Sequence, residues 1–260
     1  MKPVGFILGG LVLSAFLTAC SDSATRPHSA RVQNPQIQTV IDIDSSRKDY
    51  PAIWWQEVPR DQAKSWEILP QDAGPNEVIL SKRNELGILS NFTEAPFVFH
   101  GICYPTIEAF WQMMKYPESA SDVRWAWTPQ WKYSRETVSQ MEGYAAKSAG
   151  SYANKLMEQN GANWVTFEGQ KIPFVQKNPG KHHDLILEAL IEKIRQNPAA
   201  MEVLLKTKDL KLRPDHQVSD QAAREWHYYV LWMDIRTNLQ KGTLAKETSE
   251  DISLRTCKAH

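Results

Sequence analysis

The chain has 260 residues, with 30 basic and 30 acidic side chains balancing to a formal charge of zero. That balance argues against a phosphate-backbone binder, which carries a basic patch or domain. The length fits one domain with an extension at about 150 residues per domain. Cysteine and histidine show no cluster at ligand spacing, so no metal and no cofactor is expected.

The first segment reads as a targeting signal. Met1-Lys2 is a short positive start, Val4 to Leu17 is apolar apart from Gly and Ser, and Leu17-Thr18-Ala19-Cys20 is followed at once by polar Ser21-Asp22-Ser23. A charged start, a short apolar core and a small-residue cleavage site describe a secretory signal peptide over residues 1–20. The run is shorter than the roughly 20 apolar residues of a membrane span. Leu-Thr-Ala-Cys resembles a bacterial lipobox, which implies acylation of Cys20 as the new first residue; an ordinary signal peptide with an incidental cysteine is the alternative. Two or more acyl chains give stable anchoring, and Ser21 after the cysteine favours, by the same resemblance, the outer membrane. Residues 21–50 are polar without apolar period and read as a flexible tether. Cys103 and Cys257 can pair in an oxidising compartment, but two cysteines so far apart leave that open.

Residues 51–74, with Ile53-Trp54-Trp55 and Trp66-Glu67-Ile68-Leu69-Pro70, form an aromatic lead-in expected to pack on the domain as a flap. Glu77 to Ser81 reads as the first strand. Phe97-Val98-Phe99 and Ile102-Cys103-Tyr104, joined by His100-Gly101, read as a hairpin. Thr106 is placed to cap a helix whose Ile107, Phe110, Trp111 and Met114 recur on one face, ending near Tyr116-Pro117. An aromatic connector, Trp125 to Tyr133, precedes one long helical stretch from Ser134 to Gln159. Trp164 to Phe167 reads as a short strand, Asp184 to Gln196 as a helix, and Asn197-Pro198 as the cap and first position of the next. Leu210 to Leu212 reads as an edge strand and Trp226 to Leu239 as the last helix. The expected class is α+β, a mainly helical single domain with a small sheet or hairpin.

One composite segment is informative for function: Asn84-Glu85-Leu86-Gly87-Ile88-Leu89-Ser90-Asn91-Phe92, Ala95-Pro96-Phe97, Gly101, Tyr104-Pro105-Thr106-Ile107-Glu108 and Gln112-Met113-Met114-Lys115. With Asn163-Trp164, Gln196-Asn197-Pro198 and Val203 to Thr207 in matching order, it resembles the NADAR (YbiA-like) family over residues 75–241, leaving 242–260 as a tail. The resemblance implies cleavage of an N-glycosidic bond between ribose and a base, with riboflavin-pathway intermediates or ADP-ribosyl-guanine as substrate classes.

Glu108 is the first candidate catalytic residue. At the second helical position it lies about 100° around the helix from Ile107, on the border of the apolar face, with Gln112 and Lys115 one and two turns on. A carboxylate there can stabilise the positive charge that develops on ribose, or activate water; equally, the helix dipole favours Glu in a first turn by about 0.3–1 kcal/mol. The family resemblance adds Trp164, to stack on base or ribose or simply to pack the core. It also adds an Asp before the last helix. Ala223 stands where that carboxylate is usual, three residues before Trp226-His227, so Asp215 in Arg213-Pro214-Asp215-His216 is the preferred substitute and Asp220 the second. Ser90, Asn91 and Phe92 are candidate ribose or phosphate contacts, with Arg83 and Lys115 as charge partners and His216 beside Asp215. His182 and His183 read as surface or cap residues. Two functions follow: an N-glycosidase on a nucleotide-like or ADP-ribosylated substrate, or a non-catalytic envelope lipoprotein binding an ADP-ribose-like ligand or a protein partner. Oligomeric state is left open.

Overall fold

The computed structural model describes residues 47–174, 178–244 and Cys257. Cys20, the signal segment and most of the tether and tail lie outside them. The described residues form an α+β fold of six helices and three separate two-stranded ladders rather than one sheet. None of these helices is long and apolar enough to cross a membrane.

Strand β1, Glu77–Ile79, pairs in parallel with β6, Lys211–Arg213, with Val78 opposite Leu212 and both fully buried. The hairpin forms where expected, β2 Phe97–Phe99 against β3 Ile102–Tyr104. Its two-residue turn has positive φ at both His100 and Gly101, the geometry that matches the twist of the flanking strands. A second hairpin, β4 Trp164–Phe167 with β5 Gln170–Pro173, turns in the same way at Glu168 and Gly169.

Helix α1, Ile107–Met113, is the centre of the molecule. Thr106 caps it, its Oγ1 accepting the Ala109 N–H at 3.0 Å. All seven of its residues are buried, so the expected border of an apolar face is in fact interior. It packs against α3, Gly143–Gln159, α2, Arg135–Ser139, and α4, Lys181–Gln196. The single long helix expected from Ser134 to Gln159 is broken between α2 and α3. Gln140 donates to the Cys103 carbonyl, and α3 restarts at Gly143, where a Cβ would sit 2.4 Å from the Phe92 backbone. Only a residue without a side chain lets the two backbones meet there.

Helix α4 starts three residues earlier than the apolar period suggested. His182 and His183 therefore fall in its first turn and are buried, not on the surface: His182 Nδ1 lies 2.8 Å from the Glu225 carboxylate, and His183 Nδ1 3.2 Å from Asp184. Pro198 opens α5, Pro198–Lys206, but Asn197 does not cap it. Its amide instead donates to the Lys193 and Pro96 carbonyls, closing the end of α4. The last helix, α6, is Tyr228–Gln240.

The lead-in is bonded into this core. Trp54 is fully buried with its indole N–H on Glu85 at 2.9 Å, and Trp55 donates to the Glu77 carbonyl. A disulfide joins Cys103 on β3 to Cys257 across 154 residues of sequence, with Cα atoms 5.4 Å apart. In the chain-entropy account, opening so long a loop costs about 2–5 kcal/mol. Cys103→Ser is expected to lower the unfolding free energy by about that amount, read as a shift of the urea midpoint without a loss of helical signal.

Candidate active site

One main-chain contact, one side-chain contact and the Thr106 cap aim Glu108 inward. Its N–H donates to the Asn91 carbonyl at 3.0 Å, joining the first turn of α1 to the Ser90-Asn91-Phe92 turn. Its side chain, 5% exposed, accepts from Gln112 Nε2 at 2.8 Å. Gln112 and Lys115 continue the stripe and are buried as well. Together these side chains wall a cleft of about 130 Å³ with Ser90, Asn91 and Phe92 on one side. The remaining walls are Lys82, Lys147 and Asn154, the rings of Trp111, Phe174, Trp226 and Tyr228, and His216.

The electrostatics are those of charge held away from water. Burial pushes the Glu108 carboxyl above the ordinary carboxylate range, against the opposing pull of Lys147, the Gln112 bond, Lys115 and His216. Burial likewise pulls the Lys115 ammonium down to about 7, against the attraction of Glu108 and helped by Lys147. Lys115 Nζ sits 4.6 Å from the centre of the Phe174 ring, a cation–π contact that offsets part of its desolvation.

Asp215 is buried directly behind the wall. Burial acts to raise its pKa, but the His216 contact at 2.9 Å and the Lys82 ion pair outweigh that and hold the carboxyl below its usual range. Its carbonyl accepts the Ile68 N–H at 2.8 Å, and Glu67 bridges to His216, so the lead-in fixes this segment. His216 and Lys82, the two partners of Asp215, are what face the cleft. Asp220 is exposed and not on its walls.

Two expected residues are not brought here. Trp164 lies on β4 beside a separate depression lined by Asp122 and Lys171, and its ring carries Arg124 at 4.4 Å and Lys171 at 4.2 Å. Arg83 turns away, forked onto Glu67 at 2.6 and 2.8 Å and donating to the Gln62 carbonyl. Its neighbour Lys82 lines the cleft instead. Lys147, Gly150 and Asn154 share one face of α3 at spacings of three and four, a pattern present in the sequence that marks a second polar wall. Phe174 and Tyr228 had no such signal.

No family model matches the chain, and no curated protein does. Among solved structures it is similar to the E. coli protein YbiA, determined by NMR. The identity is 20%, the match covers 65% of this chain and 87% of that one, and the TM-score is 0.41.

Gly150 makes the stripe possible, since a Cβ there would lie 1.7 Å from Gln112 Oε1. Gly→Ala inside a helix normally gains about 1 kcal/mol. Here Gly150→Ala is expected to reverse that sign and cost about 1–3 kcal/mol by overpacking, measurable by urea denaturation. A second expectation concerns pH. Lys115 and the buried Lys193 of α4 are both held near 7, far below an unfolded lysine. Each deprotonates in the native state first, so the unfolded chain binds more protons and stability rises with pH between 7 and about 9. The slope is at most about 1.4 kcal/mol per pH unit for each lysine. Chemical denaturation across that range checks it, and Lys193→Met should remove one share of the slope.

Proposed function

We propose that this cleft hydrolyses an N-glycosidic bond of a phosphorylated ribose, in a riboflavin-intermediate-like or ADP-ribosyl-guanine-like conjugate. The observation that carries the reading is a buried carboxylate, Glu108, set among ring-bearing walls and the ammoniums of Lys82, Lys115 and Lys147. The order of the Ser-Asn-Phe, Thr-x-Glu and Gln-x-x-Lys motifs, resembling the NADAR family, supports the same chemistry.

As the C1′–N bond lengthens, its electron pair leaves with the base and positive charge spreads over C1′ and the ring oxygen. An ionised Glu108 beside that charge stabilises it more strongly in a dry site than in water. The same carboxylate can take a proton from the attacking water, whose oxygen then bonds to C1′. The leaving nitrogen needs a proton, and Lys115 is an ammonium poised to give one near neutral pH. Phe174, Trp111 and Trp226 offer faces on which a base can stack, worth about 1–3 kcal/mol for a base on an aromatic ring. Lys82 and Lys147, at the more open end, suit a phosphate. Asp215 acts through His216 and Lys82, holding both in place.

The signal-like segment ending at Cys20 supports export and lipid anchoring, and the Cys103–Cys257 disulfide fits an oxidising compartment. A non-catalytic binding lipoprotein would use the same walls without bond cleavage.

The experiment incubates full-length protein, purified in detergent, with guanine-linked ADP-ribose and with riboflavin-pathway ribose phosphates, following released base by mass spectrometry. Wild type should release base, and Glu108→Gln should lose at least about 100-fold, the scale of general-base catalysis. The rising limb of kcat/KM with pH should lie above the ordinary carboxylate range, because burial raises Glu108. Binding of ADP-ribose without release from any substrate would replace catalysis with the binding reading.

A further inference from the structure

Lys193 is fully buried in the last turn of α4, and its ammonium makes one hydrogen bond, to the Ser90 carbonyl at 2.8 Å. No neighbouring charge acts on its titration; burial alone does. A methionine would fill the same unbranched space without the cost of a buried amine. Packing therefore does not explain a lysine here.

Its one partner does. Three consecutive carbonyls of the cleft turn each accept from a different helix. Leu89 takes the Trp232 indole N–H of α6 at 2.7 Å, Ser90 takes Lys193 of α4, and Asn91 takes the backbone N–H of Glu108 in α1 at 3.0 Å. Within the turn, Ser90 Oγ accepts the Phe92 N–H at 3.2 Å and the Ser90 carbonyl also accepts the Thr93 N–H at the longer distance of 3.4 Å. Ser90, Asn91 and Phe92 all line the cleft. The lysine is thus the central tie of a strand of backbone that touches the proposed ligand and holds the first turn carrying Glu108.

We propose that Lys193 is a positioning residue of the cleft, fixing the Ser90 carbonyl so that Asn91 meets the backbone N–H of Glu108, at a cost to the stability of the fold. Only the activity arm of the test rests on the N-glycosidase reading. The full-length protein and its Lys193→Met variant are compared at pH 6, where the buried amine is protonated. Lys193→Met should fold and melt at or above wild type, while hydrogen exchange at the Glu108 amide quickens by at least about tenfold. If wild type cleaves an N-riboside, kcat should fall at least about tenfold with a smaller change in KM, the mark of lost alignment rather than lost binding. Wild type with no turnover on any substrate would discredit the enzymatic reading alone, and exchange and melting would still decide this one. Exchange within about twofold of wild type overturns the proposal whatever the melting temperature does. A variant that melts below wild type or fails to fold overturns it too, making Lys193 a support of the core.

Discussion

The structure depends on keeping a seven-residue helix wholly inside the protein. A buried helix leaves unpaired N–H groups at one end and carbonyls at the other, and each costs free energy unless a partner reaches it. At the start of α1 the partners are Thr106 and the Asn91 carbonyl. At its end two arginines do the work: Arg124 reaches the carbonyls of Met114, Lys115 and Tyr116, and Arg135 those of Met113 and Tyr116. Arg124 is itself neutralised by Asp122, and both arginines reach Thr166 on β4. Satisfying one short helix therefore draws in the Ser-Asn-Phe turn, which lines the cleft, together with the connector and the second hairpin behind it.

The same burial explains why the polar stripe on α1 is chemically sensitive. Glu108, Gln112 and Lys115 point into a space where water is scarce, so each must find protein partners or shift its protonation. Gln112 Nε2 finds Glu108, while its Oε1 is buried against Gly150 of α3 with no hydrogen-bond partner among the described residues. Glu108 moves up and Lys115 moves down, both toward neutrality. Across the cleft Asp215 is treated differently. It has two partners, His216 and Lys82, and stays ionised at ordinary pH. Carboxylates of one type thus take opposite protonation behaviour from their surroundings, a division of roles that acid–base sites commonly use.

Local chemistry was legible in the sequence and long-range placement was not. The His100-Gly101 hairpin, the Thr106 cap and Pro198 at a helix start were readable because each depends on a few adjacent residues. The apolar period put Glu108, Gln112 and Lys115 together on one side of a helix, but it could not show that the other side was covered too. The break before Gly143 depends on Phe92, fifty-odd residues away, and the helical pattern runs straight across it. Trp164 is named through the family resemblance, with core packing as the alternative; it is buried, and two nearby cations and a different depression claim its ring. Arg83 and Lys82 are equal as basic residues, and only their distant partners, Glu67 for the one and Asp215 for the one that faces the cleft, distinguish them. His182 seemed a surface residue because its acidic partner, Glu225, comes from the far end of the domain.

The opposite shifts of Glu108 and Lys115 also bear on what the cleft would do with an anion. Each charge makes the other less costly, and Lys147 favours ionised Glu108 while opposing a charge on Lys115. Near neutral pH the Lys115 ammonium is therefore close to the point where a proton can be gained or lost for little free energy. A phosphate brought near Lys147 would screen its ammonium from Lys115 and favour the charged form of Lys115. The ligand would then supply the electrostatic balance that the protein withholds, restoring the ammonium that the proposed cleavage uses as its proton donor. A cleft that presented a permanent, well-solvated ion pair would bind the same phosphate, but it would have no proton held in readiness for the leaving base.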